Sequence, residues 1–131
     1  MSNPADAMPF SKLMGVEVLE ASTKRVVGEL LVRDELCTTG GILHGGAIMA
    51  FADALGALGA FLALPPGATG TTTLESKTNF LGAAKAGVTV RGVATPAHVG
   101  GTTSVWQTAI ATADGKPIAL VTQTQLVLRP R

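Results

Sequence analysis

Residues 43–66 read LHGGAIMAFADALGALGAFLALPP, and the reading of this stretch decides the fold. From Ala47 to Leu64 it is apolar for eighteen residues, interrupted only by Asp53, and Pro65-Pro66 ends it. By length alone it could cross a bilayer. Against a span, a mid-membrane Asp costs roughly 2.5–3.5 kcal/mol on insertion scales, and no Lys or Arg flanks the stretch. The other reading is a helix apolar on every side at the centre of a protein, wrapped by further elements.

The flanking sequence supplies such a wrapper. MGVEVLEASTKRVVGELLVR (14–33) reads as two strands around a short polar turn, with Val26, Gly28, Leu30 and Val32 on one face. After the helix, TGTTTLESKTNFLGA (69–83) is rich in β-branched residues and GVTVRGVATPAHV (87–99) alternates, so both are expected strands. TTSVWQTAIAT (102–112) and PIALVTQTQLVL (117–128) flank Asp114-Gly115, a hairpin signal. The expected order is β-β-α-β-β-β-β, an α+β class with one long central helix wrapped by a curved, largely antiparallel sheet. With 131 residues and no linker, repeat or low-complexity segment, a single domain over 1–131 is expected. Gly56 and Gly59 would let the helix approach its neighbours closely.

Composition narrows the partners. Hydrophobic residues make up 47% and charged residues 15%, with net charge +1, which suggests neither disorder nor a nucleic-acid footprint. Small molecules or other subunits are the expected partners, with no nucleic acid and no membrane. The single cysteine, Cys37, permits no intramolecular disulfide. It has no activating constellation and is expected to pack. MSNPADAMPF lacks a basic segment followed by an apolar core, so a cytoplasmic location is expected. Phe80 and Trp106 are read as core or acyl-pocket walls, His98 as structural or exposed.

The chemistry starts at TTGGILHGG (38–46), a glycine-rich turn leading into the helix. The first N–H groups of a helix have no intrahelical partner. With the helix dipole they can polarise a carbonyl and stabilise an oxyanion, and glycine at 45 keeps the approach open. Asp53 adds a carboxylate where an unpaired charge is expensive. Eight residues at about 1.5 Å each separate it from Gly45 by roughly 12 Å. One chain cannot readily bring both to the same carbonyl. Two chains with antiparallel helices can, and the site then lies between subunits.

These residues resemble the hotdog-fold acyl-CoA thioesterases, in particular the phenylacetic-acid-degradation and 4-hydroxybenzoyl-CoA thioesterase branch. The resemblance runs from about Phe10 to Pro130, and its specific part is HGGAIMAFAD (44–53), with NFLGAAKAG (79–87) and GGTTSVW (100–106) in support. It implies a hotdog fold and a homodimer with two helices side by side under a continuous sheet, often paired again into a homotetramer. It implies hydrolysis of acyl-CoA to free acid and coenzyme A. The Gly45 amide would bind the thioester oxygen, and Asp53 would act as nucleophile or general base. His44 would shape the helix start beside the thioester, and Gly46, Thr38, Gly101, Thr102 and Thr103 would border the substrate. No metal or other cofactor is expected, since coenzyme A is part of the substrate. A hotdog protein that binds acyl-CoA without turnover is the alternative.

Several positions depart from the branch. Thr38 stands where relatives often carry Asn or Gln. Ala54 and Ala57 stand where some relatives place a Thr beside the carboxylate. Phe80-Leu81-Gly82-Ala83 replaces the usual Phe-Leu-Arg-Pro, removing a cation; Lys85, Arg91, Arg129 and Arg131 remain as candidates for coenzyme phosphate contacts. The small residues Ala47, Ala50, Ala54 and Ala57 favour an aryl or medium-length acyl group over acetyl. The acyl group itself and the choice between nucleophile and general base stay open.

Overall fold

The computed structural model describes residues 2–131. Six strands form one sheet: β1 (Glu17–Ala21), β2 (Val26–Leu31), β3 (Gly70–Phe80), β4 (Thr89–Val99), β5 (Thr103–Thr112) and β6 (Pro117–Leu128). Their spatial order is β1-β2-β4-β5-β6-β3, and every neighbouring pair is antiparallel. A short helix, α1 (Pro9–Met14), precedes them, and the long helix α2 (Gly45–Leu62) lies between β2 and β3. This is the hotdog arrangement, with the element order expected from the hydrophobic pattern.

Helix α2 packs against all six strands. It passes the length and apolarity test for a membrane span, yet Ile48, Phe51, Ala52, Leu55 and Ala60 are buried in the protein core with Val90, Trp106, Ile110 and Val121. Fully burying a side chain the size of Phe51 or Leu55 contributes about 1.5–3 kcal/mol. The inward face of β2 is the one read from the sequence: Val26, Leu30 and Val32 are almost inaccessible. Gly28 on that face, and Gly92 opposite on β4, make room for the helix. A Cβ on either would stand 2.6–2.7 Å from a methyl of Leu55.

Irregular registers at Val18/Glu20, Thr73/Glu75, Pro96/His98 and Ile110/Ala111 bend four of the five strand pairs. Such bulges raise local twist, and here they curl the sheet around α2. Strand β3 forms one edge, with its outer backbone unpaired and Leu74 and Phe80 each 55% exposed.

The helix begins two residues earlier than its apolar run: Gly45 and Gly46 form its first turn rather than a turn ahead of it. His44 explains the shift. Its extended backbone and its Nδ1, which accepts from Gly46 N–H at 2.8 Å, cap the helix as an Asn or Ser would. The apolar spacing of Phe10, Leu13 and Met14, Pro9 at the first helical position and Gly15 at φ +87° account for α1.

Candidate active site

The donor end of the site is assembled within a few residues. Gly40 and Gly41, at φ +89° and +71°, turn the chain back so that Cys37 bridges Leu43. His44 N–H donates to Leu36 O at 2.9 Å and Leu43 N–H to Ala84 O at 2.8 Å, which anchors the entry to α2. The His44 carbonyl accepts from Ala47 and Ile48, and its imidazole takes the Gly46 N–H. That leaves the Gly45 amide: among the described residues it has no acceptor. A Cβ at Gly45 would stand 3.2 Å from the Phe80 ring, so glycine there keeps the face over the amide narrow but open. Because His44 Nδ1 accepts, the neutral ring carries its proton on Nε2 and presents a second donor nearby.

An apolar cavity of about 440 Å³ opens beside this turn, lined by Phe10, Leu13, Leu36, Cys37, His44 and Gly46 among others. Helix α1 supplies part of its wall. Cys37 packs against the core cluster, its Sγ donating to Arg33 O at 3.4 Å.

The acceptor lies further along α2. Asp53 is half-buried, and its Oδ1 accepts from Thr73 Oγ1 at 2.7 Å and from Gln123 Nε2 at 3.1 Å. The hydroxyl that Ala54 and Ala57 cannot provide therefore comes from β3. None of the ion pairs among the described residues involves Asp53. Gly56 and Gly59 let β6 and β5 reach the helix: a Cβ at Gly56 would collide with the Gln123 amide, and one at Gly59 would stand 2.5 Å from Trp106.

The remaining residues singled out from the sequence fall at the two ends of the helix. Thr38 is exposed on the turn before His44, its backbone paired with Ile42. Gly101 and Thr102 lie in the β4–β5 turn and Thr103 opens β5; at this turn Arg129 links Gly101 O to Pro66 O beyond the C-terminal end of α2. Within one chain, then, the donor end, Asp53 and the β4–β5 turn stay apart. Of the four cations considered for phosphate, Arg91 pairs with Glu29 at 2.8 Å and Arg129 is held by the two carbonyls. Lys85 bridges Ile42 through the backbone at the donor end, and Arg131 is exposed. His98 is exposed and Trp106 is core.

Residues 40–119, from the glycine turn into β6, match the family model described as "Thioesterase superfamily". The chain belongs to this superfamily. A Pseudomonas aeruginosa protein named "Putative esterase" is 32% identical over 130 aligned residues, covering 86% of this chain and 89% of that protein. A mutant thioesterase from Pseudomonas aeruginosa superposes with a TM-score of 0.87 at 26% identity, covering 95% of this chain and 91% of that one. A hypothetical thioesterase protein from Streptococcus pneumoniae, solved with coenzyme A, gives 0.80 at 25% identity, covering 89% and 88%. With the family and the fold in agreement, this thioesterase-superfamily chain is a thioester hydrolase of the hotdog class.

Proposed function

We propose that the enzyme hydrolyses acyl-CoA carrying an aryl or medium-length acyl group, in a site shared by two copies of the chain. One observation carries this reading: the Gly45 N–H, without an acceptor among the described residues, lies between His44 and Gly46, both of which line an apolar cavity of about 440 Å³. The thioester oxygen accepts from that N–H, and the acyl group fills the cavity between Phe10, Leu13 and Leu36. Acetyl would leave most of the cavity empty. The coenzyme A bound to the Streptococcus pneumoniae relative supports the leaving group.

The roughly 12 Å along the helix that separates Gly45 from Asp53 motivates the second chain. In the proposed dimer the helices lie antiparallel, so the partner subunit's Asp53 reaches the carbonyl held by Gly45. The open edge of β3, with Leu74 and Phe80 exposed, and the exposed Met49 and Phe61 of α2 support such a pairing. The carboxylate then either attacks the carbonyl carbon or takes a proton from the attacking water. Negative charge collects on the oxygen at the helix N-terminus and the C–S bond breaks. In the general-base route the proton taken from water passes to the sulfur and coenzyme A leaves as the thiol; in the nucleophilic route solvent protonates the thiolate, and water then hydrolyses the Asp53–acyl anhydride to the free acid, restoring the carboxylate.

The test is a panel of acyl-CoA substrates with detection of free thiol. Phenylacetyl-, benzoyl-type or medium-chain substrates are expected to give the highest kcat/KM. Activity confined to acetyl-CoA would overturn the assignment of the cavity, and retention of acyl-CoA with no thiol release would make the chain a binder.

A further inference from the structure

Asp53 is held from one side only. Its Oδ1 accepts both available hydrogen bonds, from Thr73 and Gln123, while among the described residues Oδ2 accepts none. Behind Thr73 the bonding continues: Gln125 Nε2 donates to Thr73 Oγ1 at 2.6 Å, and the single proton of Thr71 Oγ1 is shared between Gln125 Oε1 and Leu126 O, each at 3.0 Å. Gln125 is 1% exposed, so its amide has no water to turn to. The direction of this chain follows from donor chemistry. An amide N–H can only donate, so the Thr73 oxygen must accept there, and its single proton is committed to Asp53.

We propose that Thr73 and Gln125 are positioning residues: together they lock Asp53 through Oδ1 and leave Oδ2 as the oxygen that reacts. The inference rests on the reading of Asp53 as the carboxylate of the site. Polarisation along a buried chain strengthens each bond. Thr73 thus supplies orientation, and Gln125 acts through Thr73. Neither needs to touch substrate.

The experiment compares Thr73→Val, Thr73→Ser, Gln125→Met and Asp53→Asn, using the best substrate of the acyl panel across a pH series, with circular dichroism to confirm the fold. Thr73→Val is expected to lower kcat about 10- to 100-fold with KM within about two-fold, the loss that a missing hydrogen bond to a charged group produces. Thr73→Ser should restore most of the activity, and Gln125→Met should show the same pattern more weakly. If Asp53→Asn is inactive while Thr73→Val and Gln125→Met keep the kcat of the parent, the positioning role is overturned and the role of Asp53 stands. Equal losses in Thr73→Val and Thr73→Ser would reduce Thr73 to packing and also overturn it. An active Asp53→Asn would remove the reading beneath both.

Discussion

The two parts of α2 proposed to form the site are held in opposite ways. At the N-terminal end, His44 caps the helix with its own side chain and carbonyl, and Gly45 is left open by neighbours one to three residues away. Two turns further on, Asp53 is held by Thr73, 20 residues later in the chain, and by Gln123, 70 residues later. The donor is thus made by local backbone geometry and the acceptor by the closing of the sheet. A local device survives changes in the sheet, whereas a tertiary one fails when any of its strands shifts.

The largest effect comes from testing whether the two halves belong to one site. Asp53→Asn should lower turnover about 100-fold or more, the contribution of a lost general base. Gly45→Pro should do likewise by removing the donor N–H, at a first helical position where proline is tolerated. Once each is shown to dimerise, a purified mixed dimer should recover about half the parent activity, because one of its two sites combines an unaltered Gly45 with an unaltered Asp53. Mixed dimers no better than either variant would place both groups, or neither, within a single chain's site.

Next in size is the same methyl group added at each half. At Gly56 the new Cβ meets the Gln123 amide, which is fully buried and has no room to retreat. Gly56→Ala should cost about 1–3 kcal/mol of stability and weaken activity by displacing a donor from Asp53. At Gly45 the new Cβ meets the Phe80 ring at 3.2 Å, and that ring is 55% exposed and can swing aside. Gly45→Ala should therefore stay within about 0.5 kcal/mol of the parent in urea unfolding. Equal costs at the two glycines would erase the distinction between a local and a tertiary half.

A smaller change than that at Gly56 is expected for His44→Ala. Loss of the cap should lower stability by about 1 kcal/mol, the usual cost of removing a capping side chain. It frees the Gly46 N–H and removes the Nε2 donor. Urea unfolding checks the cost, and a stability equal to the parent's would mean that His44 is not what holds the helix start.

Much of the molecule was legible in the amino-acid order because the deciding signals are short-range. Alternation in β2, β4 and β5, the Asp114-Gly115 turn and the apolar run of α2 each depend on neighbours within a few residues, and so does the glycine start that isolates the Gly45 amide. Asp53 stood out for the same reason, as the one charge in an apolar helix. Its partners did not. The sequence does place Gln123 and Gln125 two apart on the inward face of β6 after Val121, a polar interruption that asks for a partner. Nothing short-range says that the partners are Asp53 and Thr73. That pairing exists only because the sheet curls around α2, brings β3 beside β6 and leaves Gly56 bare enough for Gln123 to reach the helix. The amino-acid order by itself determined the elements and the donor, since both are set by local backbone geometry. Only the tertiary structure decided how the carboxylate is held, since a buried charge is satisfied by whichever distant groups the packing brings within 3 Å or so.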